Sequence, residues 1–366
     1  MLRKIALLIG AVFCTALSGC AEKLEELAGS RPEAEFLPAE ESAQRPFYEQ
    51  LSEKEKAVYT ALYNGIAAGE EKIPLPYKVD EETYAKLYHL LEKQESALFY
   101  IDSVYYTAPE IEEAQIEYRS VDDKDEMTAA LEAKKGEILS EISVSADDFE
   151  KALYIHDYLV QNCRYELDGS EYNATSYGCL VNGTAHCEGY AKAFDYLAKG
   201  AGLRSIIVTG ISNEGINHAW NQVEIGGVWY NLDVTWDDTD KDEAPRHVFF
   251  LCEDENFVKT HTEDGGWFEA FDCDENKDTY YIRQDLMIEN FDDAERIVRR
   301  ELEAEKEALE LKFSDSAVYD DFLQTYLEEQ EIFSLIEESG WEIPETGMTI
   351  TLTEHETENC MEISLK

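Results

Sequence analysis

Residues 183–238 read GTAHCEGYAKAFDYLAKGAGLRSIIVTGISNEGINHAWNQVEIGGVWYNLDVTWDD, and this stretch decides the fold. After Gly183 and Thr184 the apolar positions Tyr190, Ala191, Phe194, Leu197, Ala198 and Ala201 recur at spacings of three and four until Gly202, which predicts a helix with Cys187 at its start. A thiol there feels the positive end of the helix dipole, which favours the thiolate, the form that attacks carbonyl carbon. The Cys187 N–H, at the same end, is placed to donate to a developing oxyanion. LRSIIVTG from Leu203, rich in β-branched residues, predicts a strand. HAWNQVEI, Gly226-Gly227 and VWYNLDVTW then read as two strands joined by a two-residue turn. With Ile225 opposite Val228, Trp220 falls opposite Asp233 and His218 opposite Thr235, so His218 and Asp233 share a face as diagonal neighbours roughly 7–8 Å apart at the backbone.

That arrangement is what a base and its orienter need. Cys187 attacks, His218 takes the thiol proton and later protonates the leaving amine, and Asp233 fixes the imidazole tautomer. Any one of the three alone reads as a packing or turn residue, whereas a Cys with His and Asp in matching places is the signature of a thiol nucleophile. AHCEGYAKAF and HAWNQVEIGGVWYNLDVTWDD resemble the nucleophile helix and the His and Asp strands of the transglutaminase-like family, relatives of papain-like proteases. The resemblance runs over roughly residues 145–262. It implies an α+β fold in which the nucleophile helix packs on an antiparallel sheet, and a triad of Cys187, His218 and Asp233. The eukaryotic Gly-Gln-Cys-Trp pattern is absent, and His186 precedes the nucleophile where many relatives carry an apolar residue or glutamine. Hydrolysis is therefore expected ahead of protein cross-linking. For the second oxyanion donor, Asn182 and the Trp220 indole are the alternatives.

Outward toward the N-terminus, MLRKIALLIGAVFCTALSGC has Arg3 and Lys4, an apolar run and then Leu17-Ser18-Gly19-Cys20. It reads as a secretory signal, too short to span a bilayer. Its ending resembles a bacterial lipobox, implying diacylation of Cys20 and anchoring to a membrane on its extracytoplasmic side. Residues 21–45 are charged and proline-containing and read as a tether. From 46 to 142 a small α+β domain is expected, with a Ser52–Glu55 capping box on one helix and Asp80 capping a second. A core domain over 143–275 opens with a helix capped by Ser145 and Asp148, on which His156 shares the inner face with Phe149, Ala152, Leu153 and Val160 and reads as a structural histidine. The run from Cys163 to His186 reads as an irregular loop lining the substrate groove, with Tyr177 and Asn182 as substrate contacts. Residues 276–366 read as an acidic α/β module.

Lys and Arg number 31 against 80 Asp and Glu, a net charge of −49. Such a field repels nucleic acid and anionic lipid surfaces. The acidic runs at 238–242 and 272–276 lack the glycine and the bidentate glutamate of an EF-hand. With no C-x-x-C spacing either, neither metal nor cofactor is expected. Beyond Cys14, Cys20 and Cys187, five cysteines remain, and Cys163 with Cys179 or Cys252 with Cys273 are sequence-near disulfide options. The expected protein is a membrane-anchored thiol enzyme acting on peptide or glutamine-type amides, as protease, deamidase or transamidase, with a peptide or protein substrate. The rival is a surface interaction module that keeps the fold and not the chemistry, which the intact Cys-His-Asp set argues against.

Overall fold

The computed structural model describes residues 31–119, 123–238, 245–275, 277–341 and 348–365. The signal, Cys20 and the first part of the tether lie outside the described residues. The described residues divide into two compact units, one comprising 31–37, 51–91 and 101–118, the other 38–50, 92–100 and those from 119 onward. No helix among the described residues is long and apolar enough to cross a membrane.

In the first unit, α1 (Glu53–Ala68) opens with the Ser52–Glu55 capping box, satisfying two orphan N–H groups at once. β1 (Lys72–Val79) follows, and α2 (Glu81–Gln94), whose residues from Glu92 on belong to the second unit, starts where Asp80 accepts from the Thr83 N–H at 2.8 Å. β2 (Ile101–Tyr105) and β3 (Ile111–Tyr118) complete an antiparallel sheet of order β1-β3-β2. Pro74 and Pro76 are tolerated because β1 is an edge strand. Val58, Leu62, Ile66, Leu75, Tyr84 and Leu87 close its core.

In the second unit, short helices at Ala39–Ser42 and Pro46–Glu49 precede the longer α3 (Lys124–Ser140) and α4 (Asp148–Asn162). The capping box of α4 is Asp147–Glu150, not Ser145–Asp148 as its sequence suggests. Glu at the third helical position reaches back to the Asp147 N–H at 2.8 Å while Asp147 accepts from Glu150 N at 2.9 Å, a reciprocal pair that the shorter Asp148 does not provide. The run after Cys163 is also more ordered than its composition implies. β4 (Arg164–Tyr165) pairs in parallel with β5 (Thr184–Ala185), and Gly178–Asn182 form a π-helical turn between them.

α5 (Cys187–Gly200) packs on β6 (Ser205–Ser212) and β7 (Asn217–Ile225). Tyr190, Ala193, Phe194, Leu197 and Ala198 are all fully buried. Asn221 ties the layers by donating to the Ala191 carbonyl at 3.0 Å, and the buried Asp195 accepts from Ser96, Ser205 and Lys199 at 2.7, 2.7 and 2.9 Å. β7 and β8 (Val228–Leu232) pair in the register expected, Ile225 opposite Val228, across Gly226 and Gly227 at φ +58° and +87°, the two positive dihedrals of a type I′ turn. β8 ends at Leu232, four residues short of the strand its sequence suggests. The Asp233 side chain accepts from the Thr235 and Trp236 N–H groups, and its own N–H donates to the Phe249 carbonyl. The chain therefore turns into α6 (Val234–Asp237).

α7 (Asp254–Phe257) and β9 (His261–Glu263) follow, and the sheet has the order β8-β7-β6-β9. Beyond it, β10 (Met287–Ile288), α8 (Phe291–Glu303), β11 (Ala308–Phe313), α9 (Ser316–Phe322), β12 (Ile350–His355) and β13 (Cys360–Leu365) build a second sheet of order β10-β11-β13-β12. The architecture is α+β, with a helix on an antiparallel sheet at its centre.

Candidate active site

Cys187 is the first residue of α5, and the backbone before it is held tightly. His186 N–H donates to the Asn173 carbonyl at 3.0 Å, and the Asn173 side chain bonds the Glu166 carbonyl and the Thr184 hydroxyl. A Cβ at Gly189 would lie 2.2 Å from the Asn173 carbonyl oxygen, so only glycine lets the helix start this close to the loop. Asn173, buried and polar, is thus a site-building residue that no motif in the sequence marks. The partly buried thiol packs against Ala191, Ile207 and Ala219.

His218 and Asp233, expected on one face, are brought together. Nε2 of His218 lies 2.6 Å from Oδ2 of Asp233, both groups buried. Since an ionised carboxylate only accepts, Nε2 carries the proton and Nδ1 is left for the thiol. Burial opposes every charge here and is overcome each time. It would raise Cys187, but the imidazoles of His186 and His218 bring the thiol down to about 7. It would lower His218, but Asp233 and the thiolate lift it to about 10. It would raise Asp233, but His218 and His261 hold the carboxyl well below its ordinary value. Between these limits the stable form is a thiolate–imidazolium pair. The other buried thiols move the opposite way: burial pushes up Cys179, Cys252, Cys273 and Cys360. Cys163, Cys179, Cys252 and Cys273 are all free thiols, so neither sequence-near disulfide is formed in this structure.

Beside Cys187, Glu188 bonds Lys93 at 2.9 Å and Lys192 at 3.0 Å, and these cations hold it at about 2 against the opposing effect of burial. Burial, with the charges of Cys187 and Asp233, raises the Tyr165 phenol. Tyr177 stacks on Phe99 at 5.0 Å. Asn182 is exposed at the end of the π-helical turn. Trp220 is buried, its ring 6.1 Å from that of His218 and 5.0 Å from that of His261. His261 itself, on β9, places Nε2 3.1 Å from the same Asp233 oxygen.

A second histidine network lies behind α6. His156 Nε2 meets Asp237 at 3.1 Å and its Nδ1 meets Asp157 at 2.9 Å, while His247 bridges Asp157 and Glu310 at 3.0 Å each. Every ring nitrogen faces a carboxylate. Burial would lower His247, yet Glu310 and Asp157 hold it at about 10.

The profile of the transglutaminase-like superfamily matches residues 137–234. No curated protein sequence matches the chain. Among solved structures the chain is similar to a candidate cysteine protease from Cytophaga hutchinsonii, at 16% identity over 37% of this chain and 41% of that one, with a TM-score of 0.27. It is also similar to a TGase, at 17% identity over 32% and 33% with a TM-score of 0.25, and to menin, at 15% over 53% and 38% with a TM-score of 0.26. The chain thus spans less than half the length of each. Residues 137–234, which carry Cys187, His218 and Asp233 together, are the part of the chain that matches the transglutaminase-like superfamily.

Proposed function

We propose that this protein hydrolyses peptide or glutamine-type amides through a Cys187 thioester. The observation that carries the reading is the 2.6 Å bond from His218 Nε2 to Asp233, which leaves Nδ1 free for a thiol at a helix start. The Cys187 thiolate attacks the amide carbon, and the C–N bond breaks as His218 gives its Nδ1 proton to the departing amine or ammonia. A water then adds to the thioester, His218 taking its proton, and the C–S bond breaks to release the acid and restore the thiolate. The Cys187 N–H, at the helix start, is the donor for the oxyanion of each tetrahedral intermediate in this reading. An amine in place of that water gives transamidation, so the acceptor alone separates the two outcomes.

The test uses glutamine-containing peptides, measuring released ammonia, new α-amino groups and incorporation of a labelled amine in parallel. These three readouts distinguish deamidase, peptidase and cross-linker. Cys187→Ala is expected to abolish whichever is seen while leaving the melting temperature close to wild type. Retention of activity in that variant refutes the mechanism. The proposal includes export and anchoring through acylated Cys20, supported by the lipobox-like Leu17-Ser18-Gly19-Cys20. Cys20→Ala is expected to move the protein from the membrane fraction to the soluble one, and an unchanged distribution removes the anchor from the reading.

A further inference from the structure

We infer that His261 is a positioning residue for the triad, a second imidazole that holds Asp233 in the orientation His218 requires. The inference rests on the proposed thiol chemistry and concerns how its acid–base pair is kept aligned. Asp233 is almost entirely buried and takes four donors. Oδ1 accepts from Thr235 N at 2.9 Å and Trp236 N at 3.2 Å, and Oδ2 accepts from His218 Nε2 at 2.6 Å and His261 Nε2 at 3.1 Å. The two backbone donors lie on the chain just after Asp233 and fix one oxygen. Without His261, only the catalytic imidazole would fix the other, and the carboxylate would follow that ring whenever it moved to exchange protons with thiol or substrate. His261 supplies a reference that does not take part in the chemistry.

The residue is built for this. It lies on β9, at the far side of β6 from β7, with Ser212 as its partner in the sheet. Its ring stacks on Phe257 at 3.8 Å and 12°, lies 4.4 Å from Trp236 and 5.0 Å from Trp220, and is 3% exposed. Nδ1 faces the Thr260 hydroxyl at 3.0 Å, which is shared with the Phe257 carbonyl at 3.1 Å. With Nδ1 occupied by a hydroxyl and Nε2 on a carboxylate, the ring has one useful orientation and one donor to offer Asp233. Such support around a reacting group is what fixes geometry to a fraction of an ångström.

The experiment compares wild type with His261→Leu, which fills the aromatic box without a donor, and His261→Gln, which restores an N–H at similar reach. Leu is expected to lower kcat about 10- to 100-fold with KM unchanged, the effect of a small misplacement of a catalytic group, and Gln to recover most of it. In proton NMR the far-downfield resonance of the His218–Asp233 hydrogen bond is expected to shift or disappear in the Leu variant and return in the Gln variant. A folded Leu variant with unchanged kcat and unchanged resonance overturns the inference. If Leu prevents folding, Thr260→Val, which removes only the hydroxyl facing Nδ1, must lower kcat several-fold, and no change there overturns it equally. Failure of the proposed chemistry looks different: wild type itself then shows no lowered Cys187 alkylation midpoint and no Cys187-dependent turnover.

Discussion

The pH at which Cys187 becomes a nucleophile is the most direct consequence of the geometry. At pH 6 a thiol titrating at about 7 is roughly one-tenth thiolate, against about 0.3% for a free thiol near 8.5, a ratio of about 30. A more acidic thiol is also a weaker nucleophile, and a Brønsted coefficient of about 0.4–0.5 over about 1.5 units takes back about fivefold, so alkylation at pH 6 should be about sixfold faster than for a free thiol. The assay is iodoacetamide labelling from pH 5 to 10 with peptide mapping. Mapping isolates Cys187, because Cys163, Cys179, Cys273 and Cys360 are buried and burial pushes up the Cys179, Cys252, Cys273 and Cys360 thiols. His218→Ala removes one of the two imidazoles that offset burial of the thiol, and the midpoint should rise by about one pH unit or more, His186 remaining. A wild-type midpoint at or above about 8.5, or one that does not move in His218→Ala, refutes the thiolate–imidazolium pair.

Three further outcomes follow from named contacts. Asp233→Asn removes the charge that favours the imidazolium and fixes its tautomer, and should lower kcat by about 10³- to 10⁴-fold while the fold, read by circular dichroism, is kept. His247 is held at about 10, above its unfolded value of about 6.5. Its contribution to stability is therefore complete below about pH 6.5 and lost as the pH rises through about 10. Urea unfolding from pH 6 to 11 should show this fall in wild type and a flatter profile in His247→Gln. Gly189→Ala drives a methyl toward the Asn173 carbonyl and should cost about 1–3 kcal/mol. It should also reduce kcat by shifting the residues that present Cys187, and a variant of wild-type stability and rate would remove Asn173 from the account of the site.

The central motif was legible because its information is local. The spacing in α5, the Gly226-Gly227 turn and strand alternation together place Cys187, His218 and Asp233, and the observed register agrees with the one derived from the turn. The same alternation overran β8, since DVTW continues a β-branched and aromatic pattern. What stops the strand is a side-chain choice, Asp233 capping its own following residues, and that competition is invisible to periodicity. His156 was readable as structural from its helix face, but not its partners, which come from residues 237 and 157. His261 carried no readable signal. It arrives on a three-residue strand, after a short helix, from 28 residues beyond Asp233.

The Arg246-His247 dipeptide has a consequence for how such chains can be recombined. In the C-terminal sheet Glu310 of β11 stands directly opposite Glu362 of β13, a like-charge pairing that ordinarily weakens a sheet. His247 takes Glu310, and Arg246 joins His355 of β12 on Glu362, so two adjacent residues of the loop after the β7–β8 hairpin help to offset a repulsion built into a distant sheet. A chimera joined between residues 275 and 308 would separate donors from acceptors. It should be tolerated best when the incoming strands bring carboxylates at both facing positions, and a carboxylate pair arriving without the dipeptide keeps His355 on Glu362 but leaves Glu310 without His247, which weakens the sheet there. The two halves are therefore expected to be inherited together, with residues 246, 247, 310 and 362 changing as a set.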